Sequence, residues 1–254
     1  MRGLILAFQF LTRLPMPTLP DVQKEEFTGS AMWFPVVGLT IGVLLVVTAI
    51  LGSQANHWVA ALLVVVLWVA VTGALHLDGA ADLADALGAS HGRVEDHRET
   101  FLAVLKDPHV GTFAVVVLLS IVLSKLVLVA YLLESGASVE SGVSIQSCWL
   151  LLLVPAWARL GAVYWGQTVK PLADGHGDSF SNQSLHDYVW FWALALVVLS
   201  VLLLSFWFTV LAILSLFLWG VFLQRRIGGM TGDCLGAGIE YCECAMLLAA
   251  ALIL

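Results

Sequence analysis

The chain has 254 residues, of which 60% are hydrophobic and only 11% charged, and its formal net charge is −7. A soluble domain carries about 25% charged residues, so much of this surface must face lipid. A net negative chain also excludes a nucleic-acid partner, which needs a basic face, and a polybasic lipid-docking surface.

Residues 3–11 form a short apolar stretch after Arg2 that runs into Thr12, Arg13 and Pro15 with no small-residue cleavage site. This predicts an interfacial helix or a retained lead-in rather than a signal peptide. Apolar runs that approach or exceed the roughly 18 residues needed to cross a bilayer occupy 31–52, 57–75, 110–133, 148–166, 188–222 and 239–254. As one helix, 188–222 would run about 52 Å against a hydrocarbon core of about 30 Å. It is therefore read as a hairpin turning near 205–209. The result is an all-α polytopic bundle of about seven spans, a single membrane domain over residues 1–254. Trp33, Trp58, Trp149, Trp165, Trp190 and Trp219 lie near span ends, as an aromatic belt requires. Cys148, Cys234, Cys242 and Cys244 lack zinc-ligand spacing and are read as small apolar residues.

The basic residues set the expected orientation. Arg2, Arg13 and Lys24 precede the first span; Arg93, Arg98 and Lys106 follow the second; Lys170 follows the fourth; Arg225 and Arg226 follow the hairpin. The linkers 53–56 and 134–147 hold no Lys or Arg. By the positive-inside rule, residues 1–30, 76–109, 167–187 and 223–238 are expected to be cytoplasmic.

At the end of the second span, Asp78, Asp82 and Asp85 are spaced i, i+4, i+7. On a helix, Asp82 lies about 40° to one side of Asp78 and Asp85 about 20° to the other, so three carboxylates share one stripe of an Asp-rich cytoplasmic helix extension. Like charges so placed repel, and a hard cation relieves them. Mg²⁺ fits, because it takes few carboxylates, keeps waters and bridges to phosphates. Gly79 beside the first Asp would let a phosphate approach the backbone. Arg93 and Arg98, in the charged linker with His91 and His97, are candidate phosphate ligands. Asp107, in Lys106-Asp-Pro-His-Val-Gly111, is either a site residue or a helix cap.

At membrane depth, Arg159 is a candidate anion ligand and Lys125 a partner for an acid, while the Gly38-x₃-Gly42 pair suits close helix packing. Asp174-Gly-His-Gly-Asp178 is a weaker candidate for contacting a nucleotide or substrate. The glycine-rich Gly228-Gly-Met-Thr-Gly-Asp-Cys-Leu-Gly236 can present backbone N–H groups to phosphate through Thr231 and Gly232, and Asp233 can complete a metal site. It is neither a P-loop nor a dinucleotide fingerprint.

Four blocks together resemble the bacterial cobalamin synthase family, the adenosylcobinamide-GDP ribazoletransferases. They are Leu11-Thr-Arg-Leu-Pro-Met-Pro17, Leu77-Asp-Gly…Asp82…Asp85, Lys106-Asp-x-x-Val-Gly111 and Gly228-Gly-x-Thr-Gly-Asp-x-Leu-Gly-Ala237. Phe34-Pro-Val-Val-Gly38 and Gly175-x-Gly177…Phe180 also match. The resemblance implies transfer of adenosylcobinamide-GDP onto α-ribazole or its 5′-phosphate, with release of GMP and with Mg²⁺, at the inner membrane of a bacterium. Asp78, Asp82, Asp85 and Asp233 are then the expected metal ligands, and Asp82 or Asp85 the acceptor of the hydroxyl proton. The lipid bilayer is the expected surround, and a homo-oligomer is left open. Two other classes compete: a CDP-alcohol phosphotransferase, whose A-R pair and second D-x₃-D at the required distance do not follow Asp78-Gly79, and an ion-coupled transporter, whose repeats are missing.

Overall fold

Backbone polar groups that cannot reach water must be satisfied within the chain, and each long apolar run here is helical. The structure, a computed structural model, describes residues 1–90, 97–134, 142–172 and 186–253. Its α-helices are α1 (Arg2–Leu11), α2 (Lys24–Ser30), α3 (Phe34–Ser53), α4 (His57–Thr72), α5 (Leu75–Ser90), α6 (His97–Val104), α7 (Thr112–Glu134), α8 (Ile145–Thr168), α9 (His186–Leu203), α10 (Phe206–Phe222) and α11 (Gly232–Ile253). Among the described residues, six stretches are long and apolar enough to cross a membrane: 24–53, α7, α8, α9, 206–227 and α11. The pair α4–α5 passes the same test only together and is bent by 85°. A helix turned that far cannot continue along the axis of the one before it. We therefore read α4, about 24 Å long, as the crossing segment and α5 as lying across the bundle.

The apolar stretch 188–222 is indeed two helices. Ser205 ends the first and caps the second, its Oγ accepting from Phe208 N at 3.0 Å, which satisfies one of the orphan donors of the new helix. Asn56 caps α4 in the same way through Val59 N at 2.9 Å. The N-terminal stretch forms the separate ten-residue α1, too short to cross. It rests on the start of α3, with Phe10 stacked on Phe34 at 5.9 Å and edge-on to Phe27 at 5.2 Å. The four cysteines are free.

Helix α8 is the centre of the bundle and α3 its closest neighbour. A Cβ at Gly38 would come within 2.5 Å of Pro155 O, and one at Gly42 within 2.5 Å of Leu152 O. The two backbones are therefore in direct contact through the small-residue pair, as expected of membrane helices, where van der Waals packing replaces the hydrophobic effect. Helices α7, α9 and α10 turn large apolar side chains outward, among them Leu119, Trp190, Phe191, Leu194, Trp207 and Phe217. These faces fit contact with lipid. Gly42→Leu must force α3 away from α8, and is expected to destabilise the protein by about 2 kcal/mol or more. Thermal unfolding in detergent, compared with Thr40→Ser on the same helix, checks this.

Candidate active site

The site begins at the break between α4 and α5. Gly73 (φ 61°) and Ala74 (φ 58°) both take left-handed backbone, and their N–H groups close the helix end by donating to Ala70 O at 3.1 Å and Val69 O at 3.0 Å. Arg13 packs on the bend: its N–H donates to Val71 O at 2.7 Å, and its side chain fills the space a Cβ on Gly73 would take. The expected Asp-rich extension of the second span is corrected here. The acidic stripe sits on a separate helix that turns back onto α11 and α7, because two consecutive left-handed residues redirect the chain.

On α5, Asp78, Asp82 and Asp85 open into a cavity of about 610 Å³, whose far wall is the α6–α7 linker with Lys106, Asp107 and His109. Asp78 also lines a second cavity of about 160 Å³, shared with His76, Gly232 and Asp233. Burial, reinforced by the charges of Asp78, Asp233 and Asp85, pushes the Asp82 carboxyl up to about 6. The stripe and the glycine-rich segment of the sequence thus meet in space as one acidic centre. Asp107 stands in the cavity wall with its carboxyl held below the usual range by hydrogen bonding from His109, whose Nδ1 lies 2.6 Å away.

Several expected roles move. At Gly79 a Cβ would lie 2.8 Å from Asp233 O and 2.9 Å from its Cα, so the missing side chain serves the approach of α5 to α11. Asp85 accepts from Gly111 N at 2.6 Å and Ala114 N at 3.0 Å and so caps α7 from another helix. Helix α11 begins at Gly232, before the expected span, so Asp233 lies in its first turn. Thr231 Oγ1 accepts from Cys234 N and donates to Asp233 Oδ2, both at 3.4 Å, and so caps that helix. Gly232 is a wall of the small cavity. Arg98 donates to Leu172 O at 3.0 Å and lines neither cavity. It helps hold the segment where Pro171 pairs with Met230 as a short parallel bridge. Arg93, His91, Asp174 and Asp178 lie outside the described residues.

Arg159 is fully buried and pairs with Glu243, so it is not open to a substrate anion. Lys125 pairs with Glu240 at 2.7 Å and with Glu243, and lies over the Trp68 ring, 4.5 Å from its centroid. Two cations from α7 and α8 thus balance two acids of α11. Glu240 and Glu243 were missed by sequence reasoning. The signal available was their i, i+3 spacing on an apolar helix, with Lys125 and Arg159 deep in the apolar runs 110–133 and 148–166 to balance them. His76, on the edge of this network through its Nδ1, 3.3 Å from Arg159 Nη2, and Lys106 were also passed over.

Among the described residues, no group of three or more His, Cys, Asp or Glu side chains stands close enough to hold a metal ion unaided. Mg²⁺ does not need such a cage, since it binds through one or two carboxylates together with waters and substrate phosphate. Hard carboxylate oxygens at Asp78, Asp82 and Asp233, lining two cavities that share Asp78, are donors of the type that ion takes.

The comparisons with known proteins agree with one another. The family profile described as cobalamin-5-phosphate synthase matches residues 3–251. The chain belongs to the cobalamin-5-phosphate synthase family. Among its relatives, the adenosylcobinamide-GDP ribazoletransferase of Laribacter hongkongensis is 47% identical over 98% of this chain and 96% of its own length. That of Thiobacillus denitrificans is 43% identical over 98% and 95%, and that of Novosphingobium aromaticivorans 42% over 99% and 97%. No solved structure matches the chain.

For this member of the cobalamin-5-phosphate synthase family, the buried network makes a direct prediction. Lys125→Met strands Glu240 in the bundle and is expected to cost about 3–5 kcal/mol. The double variant Lys125→Met/Glu240→Met is expected to recover most of that loss in detergent unfolding, because Arg159 still neutralises Glu243.

Proposed function

We propose that this chain is an adenosylcobinamide-GDP ribazoletransferase: it joins adenosylcobinamide-GDP to α-ribazole, or to its 5′-phosphate, and releases GMP. The observation that carries the reading is the acidic centre, Asp78, Asp82 and Asp233, formed where α5 lies against the start of α11 in a chain whose relatives bear that name over nearly their full length. An ordinary phospholipid-forming transferase would need an A-R pair after the Asp-Gly and a D-x₃-D at a fixed short distance beyond it, and neither follows Asp78-Gly79 here.

The acceptor hydroxyl oxygen attacks the cobinamide-side phosphorus, the bond from that phosphorus to the oxygen of GMP breaks, and the hydroxyl proton goes to Asp82. A carboxylate can take it only within hydrogen-bond reach, and Asp82 lines the larger cavity. Asp78 and Asp233, which share the smaller cavity, are the residues that would hold Mg²⁺. Bound there, the ion would neutralise diphosphate charge as the leaving group departs. Lys106, on the opposite wall, places a positive charge beside the same anion. In purified protein, Asp82→Asn is expected to lower kcat by about 10²-fold or more. Asp78→Asn and Asp233→Asn are instead expected to raise the Mg²⁺ concentration needed for half-maximal GMP release, and chelation should abolish release. Full turnover by Asp82→Asn would assign the proton to another group.

We further propose that the acidic centre faces the cytoplasm at the bacterial inner membrane, with the N-terminus on the same side. The support is the clustering of basic segments at one end: Arg98 contacts Leu172, and the residue after Lys170 pairs with Met230 near Arg225 and Arg226. A tag inserted at Gly228, which is exposed with no neighbour within 4 Å of a Cβ, is expected to be reached only from the cytoplasmic side. Labelling from the outside of intact cells would reverse the orientation.

A further inference from the structure

His76 is 2% exposed and is a wall of the 160 Å³ cavity. Its Nδ1 lies 3.3 Å from Arg159 Nη2. A guanidinium only donates, so Nδ1 must accept, and the ring proton therefore sits on Nε2. Arg159 is itself held by Glu243 and, at 3.4 Å, by Pro155 O, so the tautomer is fixed by the buried network. The Nε2–H donor has no hydrogen-bond partner among the described residues. A buried donor left without an acceptor is costly, which points to an acceptor brought by a ligand.

Away from Asp78 and Asp233, the carboxylates proposed above to hold Mg²⁺, the cavity around it is apolar, walled by Phe10, Leu11, Phe34 and Ile239. An engineered cavity of about 150 Å³ holds benzene, so one of about 160 Å³ is far too small for a corrinoid. Guanine also fits poorly, because its edge carries several polar atoms and the apolar walls answer few of them. The base of a ribazole is a dimethylbenzimidazole: flat, apolar and with one free ring nitrogen, an acceptor. Resting on the ribazoletransferase reading above, we propose that this cavity receives the benzimidazole of the acceptor, with His76 Nε2–H donating to its free ring nitrogen. The ribose then passes Asp78, which belongs to both cavities, and brings its hydroxyl towards Asp82. Arg159 is a positioning residue that sets the hydrogen on the correct edge of the imidazole.

The test uses the full chain in detergent with adenosylcobinamide-GDP and Mg²⁺. It compares α-ribazole with the same nucleoside built on dimethylindole, in which C–H replaces the free nitrogen. The wild type is expected to favour α-ribazole in kcat/KM by about tenfold or more. In His76→Phe that preference is expected to collapse to within about twofold, with KM for adenosylcobinamide-GDP unchanged. Should His76→Phe fail to fold, Ala162→Leu fills the same cavity from α8, and is expected to raise KM for both nucleosides by about tenfold while leaving that of the corrinoid substrate alone. Equal use of the two nucleosides by the wild type overturns the base site while leaving the transferase reading intact. So does a rise in KM for adenosylcobinamide-GDP alone in Ala162→Leu, which would place the guanine there. Absence of GMP release with any nucleoside overturns both.

Discussion

The close approach of α5 to α11 is the constraint on which the active centre depends. With no side chain at Gly79, the backbone of Asp233 lies against that of α5, and this contact turns two separate acidic segments into one. The approach is possible only because Gly73 and Ala74 redirect the chain after α4 and Arg13 fills the corner they leave. A straight continuation of α4 would carry Asp78 and Asp82 away from Asp233. The chemistry thus follows from a bend that bears no charge itself.

A second constraint lies deeper, where Lys125, Arg159, Glu240 and Glu243 are buried together. Such groups are costly to bring into a bilayer and persist where they face partners. Here they join α7, α8 and α11, the helices against which α5 rests or whose residues line its cavities. The network therefore fixes the platform of the acidic helix, and through Arg159 it reaches His76 at the edge of the smaller cavity. Structural charge and active-site geometry form one continuous set of contacts.

The features legible in the sequence were those set by local pattern. Apolar length located the spans, the excess length of 188–222 required a turn, and the i, i+4, i+7 spacing put three acids on one face. The features it hid were long-range. Nothing local marks Ala74 for left-handed backbone, since alanine ordinarily favours a right-handed helix. Gly79 could equally have served a ligand or a helix, and only the position of α11 decides for the helix. Asp85 reads in sequence as a third acid of the stripe, and nothing local shows that Gly111 and Ala114, on a distant segment, donate to its two oxygens. Arg159 suggested an anion site because its partner stands near the other end of the chain.

The order in which a ribosome delivers these helices gives the buried network a further meaning. Lys125 and Arg159 are synthesised well before Glu240 and Glu243, so during biogenesis two cations wait in or beside the lipid without their counterions. Helix α11 ends that wait, and the same helix carries Asp233. The element that neutralises the nascent bundle is thus the one that completes the acidic centre, and electrical balance and catalytic competence arrive together in a single late insertion event.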